Sequence, residues 1–433
     1  MMADESMNTP APSSPGAITE IDREARNARI AARLQQRYAA ERRFKFLAFS
    51  AVAFSVLVLA FLLVTMTSNG LAGFMRAELK VPVDFAGAGL TVTEDRLSQP
   101  DAEQALGSAG LPDVLQFATT QAYGPQVAEQ LNTSAWRDLA RQMIADPAML
   151  RGQRDVSVPV SKDLASALRG NGNAELQALA RKLESEGALY RAFDWGFLSR
   201  SDATDPQEVG IWGALKGSLL TMIVTLAIAF PIGVLSAIYL EEYAPKNKWT
   251  DIIEVSINNL AAVPSIIFGL LGLAVFLTIF PNFRSAPLIG GMTLALMTMP
   301  VIVISGRNAI KSVPPSIRDG ALAIGASPVQ VVFHHILPLA LPGILTGTII
   351  GMARALGETA PLLMIGMRAF VASPPDGFTS PSSVLPVQIF LWSDEIDRGF
   401  VERTSAAIIV LLLFLLAMNG LAIYLRNRFE RRW

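Results

Sequence analysis

Long stretches without a charged residue constrain this 433-residue chain more than any other feature of its sequence. A helix that crosses a bilayer needs about 20 consecutive apolar residues. Uncharged windows of that size cover residues 46–75, 217–240, 255–283, 285–306 and 404–425, and a sixth runs from Ile336 to Ala353. Six windows predict an all-α polytopic membrane protein with six transmembrane helices, because a soluble protein has little use for six core helices of this length.

Composition excludes several classes of site. The chain has no cysteine, so disulfides, iron–sulfur clusters and thiolate metal sites are excluded. Its only histidines, His334 and His335, would point about 100° apart on a helix, which makes them a poor chelating pair. We therefore expect no metal site and no catalytic residue. The net charge of −1, without a basic patch, predicts no nucleic-acid partner.

Basic residues flank the first and the last apolar window. Since short flanks rich in Lys and Arg stay in the cytoplasm, both chain ends are predicted to be cytoplasmic, which requires an even number of spans. The first window lies too far from the start for a cleaved signal peptide, so we expect an uncleaved anchor. Four arginines of the N-terminal flank share one helical face, which predicts contact with membrane lipid. They are Arg26, Arg29, Arg33 and Arg37.

The distribution of charge divides the chain into five predicted segments. These are a cytoplasmic tail (1–45, disordered over 1–20), the first span (46–69), a periplasmic insertion (70–210), a five-helix transmembrane domain (211–425) and a cytoplasmic tail (426–433). Apolar spacing in the insertion predicts helices over Asp113–Ala122, Ala135–Ile144 and Ala174–Glu186 and a short strand over Val156–Val160. We expect a helix-rich α/β insertion with a structural or docking role.

A moderately polar loop, residues 307–338, joins the fourth and fifth windows and is predicted to be cytoplasmic. Ser316–Ile324 is expected to form a short helix and Gly325 a turn, and Pro338 is expected to mark the start of the next helix. A short helix that lies across the inner surface between two spans is a feature that a partner protein could grip.

This loop resembles the EAA loop of binding-protein-dependent ABC importer permeases at Asp319, Gly320, Ala321, Gly325, Leu337 and Pro338. It departs from that pattern at Asp319, where Glu is usual, at Gly320, where Ala is usual, and at His335, which is usually aliphatic. The resemblance implies an ABC type-1 permease bundle whose coupling helix sits in a cleft of a separate ATP-hydrolysing subunit. The chain has no GxxxxGK[ST] motif, so ATP is expected to bind to that partner, and we expect neither a cofactor nor enzyme activity here.

A second resemblance lies in the fifth window. Residues 354–362, Arg-Ala-Leu-Gly-Glu-Thr-Ala-Pro-Leu, are similar to the signature of phosphate permeases of the PstA type, and Phe193–Leu198, Gly210-Ile211 and Val263–Leu273 support the match. The resemblance implies a subunit of an inorganic-phosphate importer in the bacterial inner membrane. The implied partners are a PstC-like second permease subunit, two copies of a PstB-like ATPase subunit and a periplasmic PstS-like binding protein.

Arg354 and Glu358 interrupt an otherwise uncharged tract from Ile336 to Met367. A charge at bilayer depth is costly, so such residues usually face a bundle interior and mark a pathway. An arginine fork can donate two hydrogen bonds to an oxyanion, and Glu358, one helical turn away, can interact with it. Thr359 could donate to the same anion. The pair could equally be a buried ion pair that fixes helix register without touching a substrate.

Small residues recur at every fourth position of the same helix, at Gly343, Gly347, Gly351 and Ala355. Such a stripe lets another helix approach closely. Arg354 lies about 60° around the helix from Gly351, so the charged pair borders a packing seam. The neighbouring helix could belong to a second permease subunit or to this chain.

Three alternative functions remain open at this point. The same type of importer could carry sulfate, molybdate or phosphonate, which competition with phosphate uptake would reveal. A membrane sensor could use the insertion as its ligand-binding domain, although the chain has no cytoplasmic output domain. A secondary transporter would leave the coupling loop unexplained, and purification with or without an ATPase subunit separates it from an importer.

Overall fold

The computed structural model describes residues 20–367, 370–397 and 399–429, which are mostly helical. The chain divides into two compact units, residues 1–65 and residues 66–433. The predicted disordered tail lies outside the described residues except for Glu20, which begins the first helix. The insertion and the transmembrane helices that follow it belong to one compact unit.

The first helix, α1, runs without a break over Glu20–Gly73. The predicted tail and the predicted first span therefore form one helix, and its apolar part covers Ala40–Gly73. Residues 20–45 contain neither glycine nor proline and are rich in alanine, arginine, glutamate and glutamine. These residue types favour helix, which explains why the helix begins well before the apolar window.

The insertion contains a three-stranded antiparallel sheet in the order β2-β1-β3. The strands are β1 (Met75–Asp84), β2 (Gln153–Pro159) and β3 (Leu189–Phe193). In the central strand Ala77, Leu79, Val81 and Val83 alternate with more exposed residues and point into the core. Leu79 pairs with Val158 on one side and with Leu189 on the other, so both neighbours add apolar residues to the same core.

Helices cover the buried face of this sheet. They are α2 (Glu94–Leu97), α3 (Ala102–Ser108), α4 (Leu111–Tyr123), α5 (Pro125–Ala128), α6 (Ala135–Ala145), α7 (Lys162–Leu168) and α8 (Ala174–Ser185). The three predicted helices and the predicted strand are present within a few residues of the expected bounds. The strands β1 and β3 were not predicted.

The transmembrane part begins at α9 (Trp212–Ile238), which continues as a π-helix over Tyr239–Tyr243. The remaining helices are α10 (Lys248–Ala261), α11 (Ser265–Leu271), α12 (Leu277–Ile279), α13 (Pro287–Lys311), α14 (Pro315–Ala323), α15 (Pro328–Gln330), α16 (Leu337–Leu356), α17 (Ala360–Met364), α18 (Leu385–Ser393) and α19 (Gly399–Phe429). Helix α13 is central, because it packs along both α9 and α16.

Five helices within the described residues are long and apolar enough to span a membrane, and a bent helix pair accounts for the sixth predicted window. This pair, Lys248–Ala261 and Ser265–Ile279, bends by 104°. The sequence predicted a span here without predicting this bend. Pro264 lacks the N–H that would continue the helix and disfavours helical geometry at Val263, so the helix breaks there. The all-α polytopic class is confirmed.

Candidate functional site

The coupling segment, residues 307–338, folds as a short helix, a turn and the start of the next long helix. Helix α14 covers Pro315–Ala323, and Gly325 makes the turn at a φ of +90°, where a side chain would be strained. Helix α16 begins at Leu337, next to the predicted start at Pro338, but it continues a helical stretch that already begins at Pro328. Ser327 and Gln330 form a capping box that starts the helix ten residues earlier.

Pro338 is accommodated by a change in helical geometry. The chain between α15 and α16 is a π-helix over Val331–Ile336. Proline cannot donate the backbone hydrogen bond that an α-helix requires, and a wider turn before it relieves that conflict. Of the six residues of the EAA-like pattern, Asp319, Gly320 and Gly325 are exposed, Leu337 and Pro338 are half-buried, and Ala321 is buried.

Apolar side chains stand exposed around the Gly325 turn. They are Leu322, Ile324, Val329 and Phe333, of which Ile324 is 83% exposed. Contiguous exposed apolar residues on a folded surface mark an interaction site more often than chance. We call these four residues the coupling patch.

Ion pairs fix the coupling segment to the end of α9. Arg318 pairs with Glu242, and Arg307 pairs with Glu241 at 3.4 Å and with Glu254 at 2.8 Å. Both Glu241 and Glu242 lie in the π-helical end of α9. Sequence reasoning missed these acidic partners, because more than 50 residues separate each from its arginine.

The tract that carries Arg354 is not one helix. Helix α16 ends at Leu356, Gly357 follows it, and α17 begins at Ala360. Just before the break α16 packs closely on α13, because a Cβ on Gly351 would lie 3.0 Å from the Thr298 side chain in the middle of α13. Arg354 thus occupies the last turn of α16, where a positive charge faces the negative end of the helix dipole.

Arg354 and Glu358 come together, as their spacing predicts. The Arg354 Nε atom lies 3.6 Å from Glu358 Oε1, and the two side chains are 50% and 18% exposed. Thr359 is half-buried beside them, and its side chain does not cap α17. The guanidinium is therefore held by one long ion pair on an open flank of this chain, which leaves donors available to a further acceptor.

The stripe of small residues on α16 faces α13 of the same chain. A Cβ on Gly343 would lie 2.7 Å from the Cβ of Ala309, one on Gly347 would overlap the Ser305 side chain, and Ala355 is fully buried. Any larger residue would push the two helices apart. Arg354 lies to one side of this contact.

A buried charge cluster joins the insertion to the last span. Arg403 on α19 donates to Asp194 Oδ2 at 3.0 Å and to the carbonyl oxygens of Gly73 and Pro206 at 2.7 and 2.8 Å. Arg200 also donates to Asp194, at 2.9 Å, and burial lowers the pKa of Arg200. No sequence spacing pointed to this cluster, because 209 residues separate Asp194 from Arg403.

Two more ion pairs connect the same elements at the surface. Arg169 pairs with Glu402 at 2.8 Å, and Lys162 pairs with Asp397 at 3.1 Å. Within the described residues, no three His, Asp or Glu side chains come together in a way that could hold a metal ion.

Two family models match the chain. One, a domain of unknown function (DUF3333), matches residues 31–178, and the other, the binding-protein-dependent transport system inner membrane component, matches residues 214–433. The second match covers the transmembrane part from α9 onward, including the coupling segment and Arg354.

Curated relatives match about half of the chain. A probable ABC transporter permease protein, YqgI of Bacillus subtilis, is 35% identical over 42% of this chain and 61% of its own length. The phosphate transport system permease protein PstA 1 of Mycobacterium tuberculosis is 27% identical over 57% and 80%, and PstA of Yersinia pestis is 30% identical over 49% and 71%.

Among solved structures, an inward-facing MetNI methionine ABC transporter is 18% identical and covers 51% of this chain and 95% of its own, with a TM-score of 0.40. A bacterial ABC transporter that imports alginate is 17% identical over 50% and 79%, with a TM-score of 0.39.

Proposed function

Because the chain belongs to the binding-protein-dependent transport system inner membrane components, and to their PstA type, we propose that it forms half of the transmembrane pathway of an ATP-driven phosphate importer. Membership of the family makes it an ABC importer permease subunit. One observation carries the choice of cargo: Arg354 lies in the last turn of α16 at a helix break, half exposed, with one long ion pair among the described residues.

Phosphate suits this position chemically. It is strongly hydrated, and it leaves water only where donors replace the lost contacts. The Arg354 guanidinium can supply two such donors in parallel. Glu358 balances the arginine while no anion is present, and the anion then competes with Glu358 for the same donors. Relatives at 27–30% identity are named as phosphate permeases, which supports the same cargo.

Two surfaces of this chain, the open flank of Arg354 and the coupling patch, are the proposed contact sites for its partner subunits. A PstC-like second permease subunit would face the open flank of Arg354 and complete the pathway. Two copies of a PstB-like ATPase subunit would bind and hydrolyse ATP, one of them against the coupling patch. A periplasmic PstS-like binding protein would deliver phosphate at the opposite end. In this arrangement the chain is a multi-pass inner-membrane protein with both termini and the coupling segment in the cytoplasm.

Another oxyanion is the second candidate cargo. A guanidinium fork matches the oxygens of sulfate, molybdate or phosphonate as well as those of phosphate, so the Arg354 geometry favours an oxyanion without choosing among them. Competition distinguishes the candidates. Excess unlabelled phosphate should suppress labelled phosphate uptake, whereas excess sulfate, molybdate or phosphonate should leave it unchanged.

The Arg354→Gln variant tests the proposed site. A hydrogen bond to a charged group contributes about 1.5–3 kcal/mol, so loss of the Arg354 donors should lower phosphate uptake at least about tenfold. Arg426→Gln is the matched control, because Arg426 donates to Thr346 in the middle of α16, about two turns from Arg354, and should tolerate the change. Uptake is measured in phosphate-starved cells, with assembly checked by purification of the complex. Normal uptake by an assembled Arg354→Gln complex would show that the arginine serves only structure.

A further inference from the structure

Among the described residues, three of the buried hydroxyl groups that lack a hydrogen-bond partner lie where α9 meets the segment before α18, and two others, on Ser201 and Thr404, are not part of this contact. Thr221 on α9 is 1% exposed, and Ser382 and Ser383, just before α18, are 0% and 3% exposed. Burying an unpaired hydroxyl costs free energy, so folded proteins contain few of them. Together with the neighbouring Ser218, we call these residues the hydroxyl seam.

Other buried threonines of the same bundle show that the unpaired state is not general. Thr225, Thr293, Thr298 and Thr348 each donate to the carbonyl oxygen four residues earlier, at 2.8–2.9 Å. Any threonine inside a helix can make this bond. Thr221 does not make it, although it lies one turn from Thr225 on the same helix.

The seam is a close contact between α9 and the segment 381–388. The backbone N–H of Leu385 donates to Ser218 Oγ at 2.8 Å, and a Cβ on Gly217 would lie 3.1 Å from Ser382 Oγ. Ser218 and Thr221 line a cavity of about 10 Å³, barely the size of one water. Ala355 and Leu356 line its other side, so the cavity adjoins the turn that carries Arg354.

We propose that the hydroxyl seam is the closed form of an oxyanion subsite, which opens when α9 and the segment 381–388 separate during transport. This inference rests on the proposed function and extends it. When the seam is open, water or anion oxygens supply the partners that the hydroxyls lack when it is closed. The subsite lies on the approach to Arg354 from the end of the bundle that faces away from the coupling segment.

The chemistry of the seam indicates the kind of anion. A hydroxyl both donates and accepts hydrogen bonds, and a partly protonated tetrahedral oxyanion such as hydrogen phosphate does the same. Two hydroxyl-bearing and seven apolar residues line the cavity, and none of them is acidic. Arg354 then supplies the charge, and the hydroxyls replace the water that the anion loses.

Because the chain contains no cysteine, a cysteine introduced by substitution is the only one in this subunit. Thr221→Cys and Ser383→Cys are made one at a time in the complete transporter, reconstituted in nanodiscs. A negatively charged methanethiosulfonate reagent then reacts with each complex without nucleotide or after trapping with ATP and vanadate. Thr225→Cys is the matched control, since Thr225 is equally buried on α9 but its hydroxyl is paired.

The two seam cysteines should be labelled at least about tenfold faster in one of the two states, without nucleotide or trapped with ATP and vanadate, than in the other. Phosphate should slow this labelling, and Thr225→Cys should stay unlabelled. Equal labelling in both states, or none in either, in a complex that hydrolyses ATP would overturn the inference. State-dependent labelling that no oxyanion slows would also overturn the subsite. Labelling slowed by sulfate but not by phosphate supports the subsite and refutes phosphate as the cargo.

A second pair of variants separates a binding role from a packing role. Thr221→Val removes the unpaired hydroxyl at almost constant volume, so the complex should melt no earlier than the wild type, whereas KM for phosphate rises about 3–10-fold. Thr225→Val should leave KM unchanged. An unchanged KM for Thr221→Val would contradict a contact with the anion.

Discussion

Replacing Arg403 with methionine tests how firmly the insertion is fixed to the last span. Methionine keeps an apolar side chain against the ring of Phe197, over which the guanidinium lies at 5.2 Å. It removes all three hydrogen bonds that Arg403 donates to Asp194, Gly73 and Pro206. The variant therefore isolates the charge and the donors from the packing.

The structure sets the size of the expected effect. Removing one partner of a buried ion pair costs about 3–5 kcal/mol. Asp194 keeps Arg200 at 2.9 Å, which reduces that loss, whereas two buried carbonyl groups lose a donor at about 1–3 kcal/mol each. The two corrections oppose each other, so we expect the free energy of unfolding to fall by about 3–5 kcal/mol.

Thermal unfolding of the purified protein, followed by tryptophan fluorescence, measures this change. An unfolding entropy of about 2.1 cal/mol/K per residue gives the unit of residues 66–433 a shift of about 1.3 °C per kcal/mol, so a loss of about 3–5 kcal/mol lowers the melting temperature by roughly 4–7 °C. Arg169→Met is the matched control, because it removes an ion pair between the same elements, with Glu402, that is partly exposed. Such pairs contribute about 0.2–1 kcal/mol. If the two variants melt within about 2 °C of each other, burial does not set the strength of these contacts and the reasoning fails.

Four further variants test other parts of the structure. Gly347→Val should destabilise the α13–α16 contact by about 1–3 kcal/mol. Gly420→Ala on α19, where a Cβ meets open space, is the control and should be neutral or stabilising. Equal melting temperatures for the two variants would refute close packing at Gly347. Ile324→Asp in the coupling patch should abolish co-purification with the ATPase subunit. Ile396→Asp, at another exposed isoleucine, is the control and should retain it. Co-purification of both variants with the ATPase subunit would exclude the patch as the docking surface. Burial raises the pKa of Asp202, despite a hydrogen bond from Trp392, so the folded state binds its proton more tightly and stability falls as pH rises above 3.8. Melting curves of Asp202→Asn should lack this slope. Burial also opposes ionisation of Asp397, but the N–H of Gly399 and the Lys162 ammonium outweigh it and hold its pKa below the ordinary value. The wild type should therefore lose stability on acidification through Asp397, and Asp397→Asn should remove that loss. If both substitutions change the slope of stability against pH in the same direction, both assignments are contradicted.

Apolar windows located the transmembrane helices well, because spanning length and absence of charge are direct requirements of the bilayer. The bent pair escaped this reasoning, since hydropathy is blind to the break that Pro264 introduces. In the insertion, β1 was missed although Ala77, Leu79, Val81 and Val83 alternate with polar residues. The five-residue β3 has no periodicity of its own, and it depends on pairing with β1.

The candidate site was predictable where it is local. The four-residue spacing of Arg354 and Glu358 brought the two together even though the helix ends between them. Two contacts that position the coupling segment and the insertion were not predictable, because Glu242 lies 76 residues from Arg318 and Asp194 lies 209 residues from Arg403. Only the folded chain brings these charges together, since no short sequence window contains both members of either pair.

The junction at Arg403 has a mechanical consequence. The sheet of the insertion starts at Met75, two residues after α1 ends, and three ion pairs fasten the insertion to the first turns of α19 and the loop before it. A domain held at its base in this way acts as a lever: a small tilt at the base of α19 becomes a larger displacement at the insertion's distant loops. A fluorophore on such a loop would report the tilt from outside the bundle.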